Sequence, residues 1–272
     1  MLRFAVLTLA ACCATAAPAS REYKMIVDPS AYEAYEPSEI SFVIERSLLN
    51  LAKGPISLET RGKTSRDKTR AVRFLDTPGD CLLTKAGLIV RDRGNEKKRT
   101  LTIKLRGDVD GSWTKGAKVK EEEDVVPPLQ IKQSRALQAK LESSATLDTI
   151  KSLQSYLPEL ERLGIPADKA VQPVIKESIR EETFTLPEIK LGNSWAETEL
   201  SMWYFGDEER PALIEASFRY EMDGNAEANE ATAKVAAQWF KLWQSPSGLT
   251  PDPVESTKTA FVFKRSADFC KK

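Results

Sequence analysis

The sequence predicts a single α+β domain in which an antiparallel sheet closes into a barrel with helices packed outside. Three observations carry that reading. Several short segments alternate strictly between apolar and charged residues, the period of a strand with one dry and one ionic face. These segments, about eight in all, mostly come one after another along the chain, as sequential antiparallel strands do and βαβ units do not. The ionic faces mix Lys and Arg with Glu, and helices long enough to cover the apolar faces are present. A closed barrel would turn those ionic faces into an enclosed wet tunnel, where opposite signs lower the cost of desolvation. The competing arrangement is an open sheet with its charges in bulk water.

The elements justify this in order. Glu22 and Lys24 alternate with Tyr23, Met25 and Val27. Pro37 to Lys53 carries Ile40, Val43, Ile44, Leu48 and Leu51 at helical spacing, with Pro37-Ser38 as a start and Gly54-Pro55 as a stop. Arg91 and Arg93 share a face after Leu88 to Val90, and Thr102 and Lys104 alternate with Leu101, Ile103 and Leu105. Lys118, Lys120, Glu122 and Asp124 share the face of a further strand. Gln130 to Leu163 reads as one or two helices, a helical insertion at about 130–164. Lys176, Ser178, Arg180 and Glu182 form the next ionic face. Glu197, Glu199 and Ser201 then oppose Ala196, Thr198, Leu200 and Met202, and Glu215, Ser217, Arg219 and Glu221 oppose Ile214, Ala216, Phe218 and Tyr220. Ala226 to Trp243 is a helix with Trp239, Phe240 and Trp243 on its core side, ended by Ser245-Pro246-Ser247-Gly248.

Composition narrows the chemistry. The 272 residues hold 40 Lys+Arg against 40 Asp+Glu, so no overall basicity points to nucleic acid or an anionic membrane. There is no histidine, which excludes Ser-His-Asp and Cys-His catalysis, His-ligated metals and imidazole proton transfer. Proton transfer falls to carboxylates, Lys, Tyr or a metal-bound water.

The first 19 residues read as a secretory signal. Arg3 precedes an apolar run from Phe4 to Cys13, and small residues end at Ala17-Pro18-Ala19. Cleavage after Ala19 leaves 272 − 19 = 253 residues, in one domain from 20 to 272. Ala14-Thr15-Ala16 is an alternative site, and Leu9-Ala10-Ala11-Cys12 is similar to a lipoprotein box that would anchor the chain at Cys12. No other stretch is long and apolar enough to span a bilayer. The expected location is secreted or extracytoplasmic. Cys81 and Cys270 then remain, either as one bridge closing a long loop or as two unpaired thiols.

One ordered set of residues goes further. From Phe74 the chain runs Phe-Leu-Asp-Thr-Pro-Gly-Asp-Cys-Leu-Leu-Thr-Lys-Ala-Gly-Leu-Ile-Val-Arg-Asp-Arg, and Leu101-Thr102-Ile103-Lys104 comes shortly after. This closely resembles the CYTH, or triphosphate tunnel metalloenzyme, family, over roughly residues 20 to 265. The resemblance implies an eight-stranded antiparallel barrel whose charged interior holds a polyphosphate chain and Mg2+ or Mn2+. It implies phosphate contacts from Arg91, Arg93 and Lys104, with Lys120, Arg180 and Lys258 as further basic partners. It implies metal ligation by Glu22, Glu197, Glu199 and Glu215, and a catalytic role for Glu22, Lys24 and Glu215. Ser20 and Ser217 stand where the family usually has Glu.

The residue types suit that chemistry. Arg presents a fixed fork to two oxygens, Lys a movable point charge, and hard divalent cations prefer carboxylate oxygens. Phosphoryl transfer depends mainly on charge neutralisation and alignment. The expected function is therefore metal-dependent hydrolysis of a linear triphosphate, inorganic or organic. The alternative is a binder of polyphosphate or another polyanion without turnover, and adenylate cyclase activity is a third possibility within the family. Two motifs are set aside. Arg61-Gly62-Lys63-Thr64 lacks the earlier Gly of a phosphate-binding loop, and Asp108-Val109-Asp110-Gly111-Ser112 reads as a hairpin turn. Asp76-Thr77-Pro78 reads as a structural turn.

Overall fold

The computed structural model describes residues 20–106, 111–222, 225–254, 257–266 and 268–271. The expected signal segment and residues 108–110 lie outside them. Eleven strands form one sheet: β1 (Ser20–Val27), β2 (Thr60–Arg61), β3 (Ser65–Asp76), β4 (Leu88–Gly94), β5 (Arg99–Arg106), β6 (Lys120–Val126), β7 (Gln130–Leu141), β8 (Gln172–Pro173), β9 (Ile179–Leu191), β10 (Ser194–Phe205) and β11 (Leu213–Glu221). Among the described residues five α-helices accompany them: α1 (Ile40–Lys53), α2 (Leu82–Lys85), α3 (Ile150–Gln154), α4 (Ala226–Trp243) and α5 (Lys258–Arg265).

The sheet closes on itself. From β9 the order runs β10, β11, β1, β6, β7, β5, β4 and β3, and β3 pairs back with β9. The two-residue strands β2 and β8 only fringe the ring, which therefore has nine members. Eight antiparallel strands were expected. An odd ring cannot close with every neighbour antiparallel, because directions alternate around it. The obligatory exception lies between β1 and β6, where Arg21, Glu22 and Tyr23 run parallel to Glu123, Asp124 and Val125.

The additional strand comes from residues expected to be helical. Gln130–Leu141 is not a helix but β7, paired along its length with both β5 and β6. Its Leu137 packs outward while Gln138 faces the barrel interior, so two flanking ladders override the helical propensity of Leu, Gln and Lys. Helical structure in that region is confined to α3 and a 3-10 turn over Pro158–Leu163.

Apolar side chains of the barrel wall do face outward. On one side Tyr23, Met25, Leu200 and Phe218 pack against α1 and α4, with Ile44, Trp239 and Phe240 fully buried. Removing one such aromatic side chain would cost about 3–5 kcal/mol. On the other side Leu88, Val90, Leu101 and Ile103 pack against α2 and α3 through Leu83 and Leu153.

A third apolar cluster lies inside. Ile26, Phe74, Trp203 and Leu213 project into one end of the barrel and meet Val262 of α5. The tail beyond α5 is tied to the start of α2 by a disulfide between Cys81 and Cys270, whose Cα atoms are 5.4 Å apart across 189 residues. Asp76 organises that junction as a turn residue, accepting hydrogen bonds from the backbone of Thr77, Leu83 and Thr84.

Candidate functional site

The other end of the barrel interior is a polar channel of about 300 Å³. Strand alternation builds it: Glu22 and Lys24 from β1, Arg70 from β3, Arg91 and Arg93 from β4, Lys104 from β5, Lys120, Glu122 and Asp124 from β6, Glu197 and Glu199 from β10, and Glu215, Ser217 and Arg219 from β11. Lys258, at the start of α5, enters from the apolar end. Among the described residues eight cationic side chains line the channel against six carboxylates.

Most of these charges are answered. Lys24 donates to Glu22 at 2.8 Å and meets Asp124 at 2.9 Å, and Lys104 reaches Glu122 at 2.6 Å. Lys258 lies 2.7 Å from Glu215, and Arg219 lies 2.8 Å from Glu197. Burial alone would raise the Glu22 carboxyl, but the charge and hydrogen bond of Lys24 outweigh it and hold the pKa at about 2. Burial disfavours the Lys24 ammonium as well, yet Glu22, Asp124 and Glu215 raise its pKa overall.

Arg91 is different. No ion pair to it occurs among the described residues, and its Nε is buried without a hydrogen-bond acceptor. Beside it the Arg93 pKa is pushed down to about 10, first by repulsion from Arg91 and then by burial. Burial and the neighbouring Lys24 also lower the Lys104 pKa. Arg91 is thus the cation on this wall without a carboxylate among the described residues, and a bound anion would relieve its repulsion of Arg93.

Ten of the eleven residues singled out from the sequence share this channel: Glu22, Lys24, Arg91, Arg93, Lys104, Lys120, Glu197, Glu199, Glu215 and Lys258. Arg180 does not. In the ladder it stands opposite Ala71 and Tyr204, both on the outward side, and its guanidinium pairs with Glu182 and lies 4.0 Å from the Tyr204 ring centroid. The inward residue is its neighbour Glu181, which sequence reasoning missed together with Arg70. Glu181 accepts from Trp203 at 3.0 Å and Ser201 at 3.2 Å, and meets Arg70 at 2.9 Å. Lys258 and Arg93 approach it at 3.7 Å and 3.8 Å. Burial opposes its ionisation, but Lys258, Arg93 and Arg70 hold its pKa at about 2. Three consecutive charged residues, Arg180 to Glu182, hid the phase. The signal was Phe184 and Leu186, whose apolar parity marks the even positions as outward.

The carboxylates offer a poor seat for Mg2+ or Mn2+. Glu22, Glu197 and Glu215 are each engaged by a cationic side chain, and Ser217 faces Glu199 across the β10–β11 ladder. Glu199 alone of the four has no hydrogen bond or ion pair among the described residues. It stays exposed to the channel, while desolvation by the enclosing wall, opposed by Lys258, raises its pKa, with Glu181 and Glu22 adding repulsion. No group of three metal-ligating side chains converges among the described residues. This donor set does not fit a resident divalent cation.

A larger groove, about 1250 Å³, runs along β3, β4 and the segment leading into β9; Arg180 belongs to it, and Arg70 and Phe74 line both it and the channel. There Arg99 lies 2.8 Å from Asp92, and Arg73 pairs with the same carboxylate.

No protein-family model matches the chain, and no curated protein does. Among solved structures it is similar to a proposed adenylyl cyclase from Hippeastrum described as having a dominant triphosphatase activity, at 12% identity and a TM-score of 0.48, covering 90% of this chain and 95% of that one. A proposed adenylate cyclase from Bacillus halodurans gives 13% identity and a TM-score of 0.40, covering 90% and 97%. One from Vibrio parahaemolyticus gives 13% and 0.37, covering 91% and 98%.

Proposed function

We propose that the channel binds a linear triphosphate, inorganic or carried on an organic group, and hydrolyses its terminal anhydride. The observation that carries this reading is Arg91, which has no counter-ion among the described residues and stands beside Arg93 in a polar channel inside the barrel. Guanidinium forks and the Lys104 ammonium suit non-bridging phosphate oxygens, and Lys120 and Arg219 stand nearer the mouth. In hydrolysis, water adds to the terminal phosphorus, the bridging P–O bond breaks, and diphosphate leaves against the cationic wall. Glu199, with its raised pKa and no cationic partner, takes the proton from the attacking water.

A second reading is binding without turnover. It is favoured by the engagement of Glu22, Glu197 and Glu215 with cations and by Ser217 opposite Glu199. One experiment separates the two. Tripolyphosphate is titrated calorimetrically and assayed for released phosphate, each with Mg2+, with Mn2+ and with chelator. Binding with phosphate release that Glu199→Gln abolishes supports the hydrolase. Binding with no release under any condition supports the binder, and no binding at all removes both readings.

A further inference from the structure

We infer that the channel is blind, so that it takes the end of a linear polyanion and cannot be threaded by the middle of a long one. This deepens the triphosphate reading and rests on it.

The inward-facing side chains change character along the barrel axis in a concerted way. On β1 Lys24 gives way to Ile26, on β4 Arg91 gives way to Ile89, and on β11 Glu215 gives way to Leu213. The strands run in opposite directions, yet each of these changes falls at the same end, where Trp203 and Phe74 fill the bore and α5 covers it. Exposure falls along the same axis. Side chains are 69% exposed at Glu197 and 44% at Lys120, then 13% at Lys24, 7% at Glu215 and 1% at Glu181.

Such a floor stops an anion in two ways. An ionised phosphoryl group pushed into the apolar cluster would lose its hydration without gaining donors, at a cost that weakens binding by several orders of magnitude. Before reaching it, the group meets Glu181 and Glu215, which already engage Arg70 and Lys258, the cations nearest the floor. The floor is also fastened. Thr257 caps α5 by accepting from the backbone N–H of Ala260, and the Cys81–Cys270 bridge holds the tail behind the helix. A ligand that enters at the mouth must therefore present a terminus, and the polar stretch from Glu197 to Ser201 spans about 13 Å at ~3.3 Å per residue.

The test uses the intact protein with linear polyphosphates of short, medium and long defined length, at an ionic strength that screens surface attraction. Mass per complex is read by light scattering at saturation. The blind channel predicts no more than two protein molecules per chain at every length, one at each end. It further predicts that converting both terminal phosphates to bulky phosphoramidates weakens binding roughly tenfold or more. Stoichiometry that climbs with chain length, or end-blocked chains that bind like free ones, overturns the inference while leaving tripolyphosphate binding intact. Failure of tripolyphosphate itself to bind overturns the triphosphate reading, and this inference with it.

Discussion

The channel and the groove along β3 and β4 are both walled in part by arginine, and the outer one is about four times larger, 1250 against 300 Å³. Size would choose the groove. Charge compensation chooses the channel. Outside, Arg73 and Arg99 converge on the buried Asp92, and Arg180 has Glu182 and the face of Tyr204. Inside, Arg91 has no counter-ion among the described residues and depresses its neighbour's pKa. The outer arginines all have partners, whereas inside, beside the paired Arg70, Arg93 and Arg219, Arg91 stands without one among the described residues.

Substitutions should separate the two regions, beginning with the largest effect. Asp92→Asn leaves two guanidiniums facing a neutral amide in the outer groove, which should cost about 3 kcal/mol of stability in a denaturant titration. Tripolyphosphate affinity should not change, and a loss of binding would mean that the groove takes part. Arg91→Gln should do the reverse. Losing charge-assisted bonds should weaken tripolyphosphate by roughly 10–100-fold, while relief of Arg93 leaves the melting temperature level or raises it by about 2 °C. A destabilised variant with unaltered affinity would make Arg91 structural.

Acid titration sharpens the same contrast. Glu22 and Glu181 have folded-state pKa values of about 2 against an ordinary 4.5. Lowered carboxylate pKa values stabilise the fold above the unfolded-state value, and that contribution drains away as pH falls from about 4.5 toward 2. The urea midpoint should therefore drop across this window, and Glu181→Gln should flatten the slope. An unchanged slope would show that the Glu181 cluster contributes no such linkage. The smallest effect is expected from Arg180→Gln. Loss of an exposed ion pair and a ring contact should cost less than about 1 kcal/mol and shift tripolyphosphate affinity less than about twofold.

How much of this is legible in the amino-acid sequence depends on where the two-residue period is clean. On β1, β5, β10 and β11 one parity is mainly apolar and the other polar or ionic, so both the strand and its inward face can be read; on β4 Arg91-Asp92-Arg93 interrupts the period, and Leu88 and Val90 set its phase. On β9 three charged residues in succession erase the phase, and Arg180 is chosen where Glu181 points inward. On β7 the residues favour helix, and only pairing with β5 and β6 makes them a strand. That pairing is long-range and has no local signature. The parallel contact between β1 and β6 is a consequence of the ninth strand and so cannot be seen without it. Whether Cys81 and Cys270 pair is likewise open at that level, because two cysteines 189 residues apart carry no distance in their sequence.

The most direct test of the central claim is to locate a bound anion. Crystals soaked in tungstate, a heavy tetrahedral dianion, should show their strongest anomalous peak inside the barrel, between Arg91, Arg93 and Lys104. A strongest peak in the outer groove beside Arg180, with none in the barrel, would contradict the account.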